Sequence, residues 1–539
     1  MKHHRFEGPI VWIVALVVGL GLGFALTKIL PPEYAAANNS APAATPTAPA
    51  PIPAEQAVPA DPTSQPAASP QPQKPRISLI LCIPFALLLG CIALMPFVNM
   101  HFWHHHFPDI SFFLGGIVTG YYLNAFNLPD FNHGLTYGQY SMLHAVIEYY
   151  SFIALVGGLF VVSGTILIEL RGRATPGLNT ALLLFGALLA NLVGTTGASM
   201  LLIRPFLRIN QGRLRPIHVV LFIFIVSNCG GALTPIGDPP LYLGYLKGVP
   251  FAWPVQNLAG EWAFVVGLLL VIFYAIDRSI AKKEKREFGQ HPSSTQGSRD
   301  SDNDPRSQTT PTSGHARFGF SIRGGVGIAC LALMVFGVFI DPIVKSLAAT
   351  LPALQGYPLG ATFQLAVATF AFILAPRAIL DANQFSFFPV KEVGLLFLGI
   401  FLTMVPALGF LAANGSKLGV NSPTTFYFAT GALSAILDNA PTYLNFLQIA
   451  FGDTEITPSA IRVWLQTHEH VLDLRAISSA AVFFGAMTYI GNGPNFMVKA
   501  IAEASLVKMP SFFGYLGLAL MILLPVLVAN WALFFVVFR

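Results

Sequence analysis

SNCGGALTPIGDPP, residues 227–240, breaks the helix that leads into it. It follows the apolar run Ile217–Val226 and places three Gly, three Pro and one Asp where a membrane helix would continue. Gly and Pro there release backbone N–H and C=O groups, which in lipid must find partners. Such a break is tolerated only against protein or a water-filled cavity. GAMTYIGNGPNF, residues 485–496, repeats the pattern. Thr234-x-Ile236-Gly237-Asp238-x-Pro240 aligns with Thr488-x-Ile490-Gly491-Asn492-x-Pro494, an offset of 488 − 234 = 254 residues. Paired interrupted helices in the two halves of a chain point to the binding site of a secondary transporter.

The rest of the composition agrees with a membrane setting. The 539 residues are 54% hydrophobic and 10% charged, against about 25% charged in soluble domains. The expected fold class is therefore an all-α polytopic membrane protein. The net charge of +5 is modest, and the basic residues gather in particular loops. They report orientation rather than nucleic-acid binding. Cys82, Cys91, Cys229 and Cys330 lie in apolar segments without the close pairing of a zinc site, and read as small buried residues.

Residues 1–30 join a basic start (Lys2, Arg5) to an apolar run from Pro9 to Leu26, which suits a signal anchor or a signal peptide. The run is long for a cleaved signal and so favours an anchor, although Ala35-Ala36-Ala37 offers a cleavage site. Residues 31–76 are rich in Pro and Ala and are expected to form a disordered linker. Spans of roughly the 20 residues needed to cross a bilayer are expected at 77–99, 110–126, 144–168, 216–236, 258–277, 324–342, 359–380, 391–413, 474–498 and 512–538. The polar stretch 278–323 reads as a flexible cytoplasmic loop between halves.

Two apolar segments do not suit a single crossing. Residues 177–212 are basic on both flanks, with Arg171 and Arg173 before and Arg204, Arg208, Arg213 and Arg215 after, and carry GTTGAS (194–199) in the middle. Cytoplasmic loops collect Lys and Arg, so both ends belong inside and the segment reads as a re-entrant hairpin. Residues 422–451, with LDNAP (437–441) at their centre, read as a second hairpin entering from the opposite face. Loop charges then place Lys282–Arg286, Arg377, Lys391, Lys499 and Lys508 inside and the C-terminus outside. The expected plan is an inverted-topology repeat. Residues 77–277 form one repeat, with its hairpin and broken helix 216–240, and 324–539 form the other, with broken helix 474–498. Glu148 and Glu392 open corresponding helices, and Gly194 and Asp438 mark corresponding tips, both at an offset of 244 (392 − 148 and 438 − 194).

Asp238 and Asp438 are the sharpest functional candidates, because a carboxylate inside a membrane is expensive. Each lies beside a helix interruption whose freed carbonyls can help to bind a small cation. Desolvation favours a neutral carboxyl group, so such a residue can exchange a proton for a metal ion. Helix capping is the alternative for either Asp. Asn228, Asn439, Asn492 and Asn495 offer amides, and Thr195, Thr196, Ser199, Thr234, Thr442 and Thr488 offer hydroxyls at the two tips and two breaks. Any single Thr can instead bond its own helix. Gly237 and Gly491 let backbone approach a ligand, while Pro235, Pro240, Pro441 and Pro494 set the breaks. The metal candidates, for sodium, are Asp238, Asn228, Asp438 and Asn439. Glu148 is expected at the membrane rim, His101, His104, His105 and His106 in an interfacial loop, and Lys499 and Glu503 as an i,i+4 pair.

SNCGGALTPIGD and LSAILDNAPTY (433–443) resemble the ion transporter superfamily, which includes citrate-type carboxylate transporters, arsenite permeases and sodium:proton antiporters of the NhaD type. GTTGASMLLIRP (194–205) and GAMTYIGNGPNFMVKAIAE (485–503) look most like its bacterial branch of citrate transporters and sodium:proton antiporters. The resemblance covers roughly 77–539. It implies a scaffold domain, a transport domain carrying both hairpins and both breaks, a homodimer in the bacterial inner membrane, and elevator movement. Dicarboxylate carriers of the superfamily have Ser-Asn-Thr at the tips, whereas this chain has Gly-Thr-Thr-Gly and Asp-Asn-Ala-Pro. An acidic tip repels an anion unless a cation neutralises it. The first expectation is thus an antiporter of protons against sodium, with no bound cofactor. The second is a sodium- or proton-coupled citrate carrier. No nucleophile–base motif or nucleotide loop supports an enzyme, and broken inverted repeats favour alternating access over a channel.

Overall fold

The computed structural model describes residues 9–34, 75–130, 134–172, 174–289, 319–347, 357–452 and 456–538. Its helices are α1 (Pro9–Ile29), α2 (Ile83–Val98), α3 (Met100–Ala125), α4 (Tyr137–Gly164), α5 (Pro176–Ile209), α6 (Pro216–Ile225), α7 (Pro239–Leu246) and α8 (Trp253–Gly289) in the first part. The second part holds α9 (Gly325–Gly337), α10 (Ile340–Ser346), α11 (Leu359–Leu374), α12 (Arg377–Ala382), α13 (Phe388–Asn414), α14 (Pro423–Ile436), α15 (Asn439–Phe451), α16 (Pro458–Trp464), α17 (His468–Phe484) and α18 (Gly493–Ala504). The last helix, α19 (Phe512–Val537), contains two π-helical stretches. Among the described residues, seven helices are long and apolar enough to cross a membrane. The expectation of an all-α polytopic membrane protein holds.

Local chemistry sets the helix starts. Thr175, Ser422 and Thr457 accept N3 backbone N–H groups just before a Pro at the first helical position, the pairing that suits both the orphan donors and the fixed φ of Pro. Inside α5, Gly194 adopts φ +77, a left-handed conformation that ends one helical arm and begins another. The arms run back alongside each other: Ala174 N donates to Ile209 O at 3.1 Å, and Asn179 exchanges amide hydrogen bonds with Asn210.

Burial follows the apolar pattern. α6 and α17 are apolar on most sides, and Val219–Val226 and Ala480–Phe483 have no exposed surface. They form the centre of the molecule. α8 and α19 leave Val271, Phe513 and Met521 exposed, as helices facing lipid do. α4 packs against α11, α13, α9 and α3, and α13 packs on α3, so these helices make one group beside the centre.

α1 is packed, not pendant. It lies parallel to α3: Trp12 stacks on Phe112, Gly19 meets Gly116, Gly23 meets the Ile117 carbonyl, and Tyr121 donates to Leu30 O at 2.8 Å. A Cβ at Gly19, Gly23, Gly116 or Gly120 would strike the partner backbone. This is reciprocal small-xxx-small packing, which lets membrane helices approach closely. β1 (Glu33–Tyr34) then pairs with β2 (Pro75–Arg76), closing the base of the 35–74 segment, which lies outside the described residues.

Several boundaries differ from expectation. His101, His105 and His106 occupy the first turns of α3 rather than a loop, because Asn99 caps that helix upstream of them. Glu148 lies well inside α4, since a Thr136–Gln139 capping box starts the helix at Tyr137, and Glu392 lies within α13; neither opens its helix. The predicted polar loop is helical to Gly289 and a strand at its end: β5 (Leu167–Arg171) pairs with β6 (Gly319–Arg323), after β3 (Pro129–Asp130) with β4 (Leu135–Thr136). The spans expected at 324–342 and 359–380 divide into α9 with α10 and α11 with α12; the latter split falls at Pro376. Lys499 and Glu503 do pair, at 3.2 Å.

Candidate ion-binding site

Asp238 ends the first break. It is 1% exposed and is the N-cap of α7 by position, yet its carboxylate caps nothing. Its oxygens turn instead towards three other segments. Thr195 Oγ1, just past the α5 turn, donates to Oδ1 at 2.8 Å, and Asn492 Nδ2, in the second break, donates to the same oxygen at 3.0 Å. Asn439 Nδ2, at the start of α15, donates to Oδ2 at 2.6 Å. Hydrogen bonds to a charged acceptor are the strong ones, and here they come from each of the other three irregular segments singled out in the sequence.

A second layer of amides holds the first. Asn492 Nδ2 also lies 3.1 Å from Asn228 Oδ1, Asn228 donates to Asn495 Oδ1 at 2.6 Å, and Asn495 donates to the carbonyls of Gly485 and Thr488. One polar group in this network is left over. Asn439 is fully buried and its Oδ1 has no hydrogen-bond partner. A buried acceptor without a donor is unfavourable, and beside a carboxylate it is a ready ligand for a cation.

The two breaks are built alike. Thr234 Oγ1 donates to Asn191 O at 2.6 Å and accepts Gly237 N at 3.1 Å; Thr488 Oγ1 donates to Ala435 O at 2.6 Å and accepts Gly491 N at 3.1 Å. Gly237 and Gly491 sit so close to the Gly231 and Gly485 carbonyls that a side chain at either would collide with backbone. These Thr and Gly residues brace the breaks and do not touch the carboxylate.

Other predicted residues do not hydrogen-bond the Asp238 carboxylate. Asp438 is only part-buried and accepts Ala440 N at 3.0 Å as the N-cap of α15. Thr442 Oγ1 donates to Asp438 O within its own helix, the local alternative for Thr. Ser199 bonds Ser227 at 2.7 Å. Thr196 lines a cavity of about 20 Å³, room for one water-sized body, together with Gly194, Thr195, Gly237, Asp238 and Tyr242. No Lys, Arg or His is among the described residues lining it.

Three groups escaped the sequence reading. Asn191 bridges α5 to the first break, donating to Gly230 O at 2.7 Å and accepting Leu233 N at 2.8 Å. Glu261 on α8 is fully buried against Arg475 at 3.2 Å and Asn530 at 3.2 Å. Asp277, also buried, receives Arg213, Asn179 at 2.8 Å and His218 Nε2 at 3.3 Å, while His218 Nδ1 accepts Arg215 N. The rule that flagged Asp238, a carboxylate within an apolar span, applied equally to Glu261 and to Asp277 at the end of the 258–277 span. Among the described residues no group of three His, Cys, Asp or Glu is placed to hold a metal, the α3 histidines included.

No curated protein matches the chain. Residues 74–535, nearly the whole of the packed helices, match the family CitMHS_2, described as "Putative citrate transport". The chain belongs to that family of membrane transporters.

Proposed function

We propose that the protein is a secondary active antiporter that exchanges sodium, or a similar small cation, for protons, with Asp238 holding either the proton or the cation. The observation that carries this reading is the buried carboxylate of Asp238 beside the unpartnered Asn439 Oδ1. Sodium would take oxygens of Asp238 and Asn439, and Thr195 and the Asn228–Asn492 pair would complete the shell. The amides suit both states, because Asn presents either N–H or C=O. With the cation gone, the Asn439 and Asn492 donors stabilise the empty carboxylate; with a proton bound, its charge is removed.

The matched bonding of Thr234 and Thr488 supports reading the chain as two repeats of opposite orientation, with α5 and α14–α15 as re-entrant hairpins. Alternating access by elevator movement in a homodimer, in a bacterial inner membrane and with the C-terminus outside, belongs to the same proposal and rests on family resemblance and loop charge.

A second reading, cation-coupled transport of citrate or a similar carboxylate, is favoured by the family's description. The small acidic cavity, lined without a basic side chain, argues against it as the main activity. The test is reconstitution in liposomes loaded with a pH dye. Proton movement driven by sodium alone supports antiport. Citrate uptake that requires a sodium or proton gradient, without sodium-driven proton movement, replaces it with the second reading.

A further inference from the structure

α7 is a lever between the Asp238 site and a polar pair at its other end. The helix runs from Asp238 at its N-cap to Lys247 at its C-cap. Lys247 Nζ donates to Glu148 Oε1 on α4 at 2.6 Å, and His144 Nδ1, one turn earlier on α4, lies 3.4 Å from the same oxygen. Lys247 and Glu148 are each largely buried, with 16% and 13% of the side chain exposed.

The face of α4 that carries Glu148 also carries the rest of the seam. Tyr242 of α7 donates to Ser151 O at 3.3 Å, and Leu155 and Leu159 wall the cavity that Asp238 and Tyr242 line from the other side. Positions 148, 151, 155 and 159 follow helical spacing and so lie along one stripe. That stripe extends over about 16 Å at 1.5 Å per residue. It begins at an ion pair, continues through one hydrogen bond and ends at the wall of the ion cavity. The Glu148–Lys247 pair thus joins α4 and α7 at the end of the seam away from the cavity.

We propose that Glu148 and Lys247 are positioning residues that latch α7 against α4 and keep the Asp238 cavity closed on this side. The proposal rests on Asp238 being the ion site. It assigns to the pair a part in access to that site, not in binding the ion.

The experiment uses the full chain in liposomes with Cys82→Ser, Cys91→Ser and a reporter, Val156→Cys, on the cavity wall. Labelling by a charged methanethiosulfonate is followed without sodium. Lys247→Met and Glu148→Gln should each speed labelling several-fold, and Glu148→Lys combined with Lys247→Glu should return it to the slow rate. Equal rates in the parent and both single variants overturn the latch, as does a charge exchange that labels as fast as the singles. Where a single variant fails to fold, the charge-exchanged protein decides alone. Asp238→Asn separates the two readings: unchanged sodium-driven proton movement in that variant sinks the ion site, while the labelling comparison still decides whether the seam is latched.

Discussion

Asn439 donates to Asp238 Oδ2 at 2.6 Å across 201 positions of sequence, and its own Oδ1 is left buried without a partner. The pair joins the α15 start to the first break and holds one unsatisfied acceptor next to the one deeply buried carboxylate of the site. Removing the acid is the direct test. Asp238→Asn should abolish sodium-driven proton movement in liposomes, and Asp238→Glu should retain a small fraction of it. Sodium exchange at the parent rate in Asp238→Asn would remove this residue from the mechanism.

Asn439→Ala deletes both the donor and the orphan oxygen. In the proposed site that oxygen is a sodium ligand, so its loss should weaken apparent sodium affinity by roughly 10- to 100-fold, the range seen when groups that support a metal are removed. The sodium concentration giving half-maximal proton movement checks this.

Asp438 should behave differently from Asp238. Asn is as good an N-cap as Asp, whereas Ala costs about 1 kcal/mol. Asp438→Asn is expected to keep near-normal transport and stability, and Asp438→Ala to lower the unfolding midpoint in detergent. Loss of transport in the Asn variant with an unchanged midpoint would show that the charge, and not the cap, matters.

The Arg213–Asp277 pair predicts a double-mutant pattern. Asp277 is fully buried, and Arg213 is its cationic partner. Arg213→Met removes that cationic partner at a cost of about 3–5 kcal/mol. Adding Asp277→Asn removes the charge itself and should restore much of the lost thermal stability. A double variant no more stable than Arg213→Met would show that the cluster's role is not charge balance.

The glycine seam predicts a retained N-terminal helix. Gly23 and Gly120 have no space for a side chain against the partner helix. Mass spectrometry of the purified protein should find α1 present. Gly120→Leu should expose α1 to protease, while α2–α19 stay folded. An N-terminus beginning at residue 38 would exclude the docked helix.

Much of this was legible from residue order. An apolar run broken by Gly, Pro and Asp has few solutions in a bilayer, so SNCGGALTPIGDPP and its echo near 490 announced themselves. Asp238, Asn439, Asn492 and Thr195 were all among the residues chosen by that logic. Residue order ranks Asp438 ahead of Asp238, because burial is not a property of a short motif. Residue order puts Glu148 at the rim, since its partner Lys247 lies 99 positions away. The α3 histidines read as a loop in sequence because an Asn cap and a polar helical turn look like a loop in composition.

The sequence by itself determined the membrane class, the two breaks, the two turns at Gly194 and Asp438 and the small set of polar residues from which a site could be made. Each of these follows from backbone chemistry within a dozen residues, where Pro and Gly act directly and apolar length counts. Only the tertiary structure decided that Asp238 is the carboxylate on which the segments converge, that Thr234 and Thr488 bond backbone rather than that carboxylate, and that Asn439 keeps a free acceptor. Those outcomes depend on contacts spanning 43, 201 and 254 positions. Several Asn, Thr and Asp residues have the same local chemistry, and packing alone selects which of them face one another.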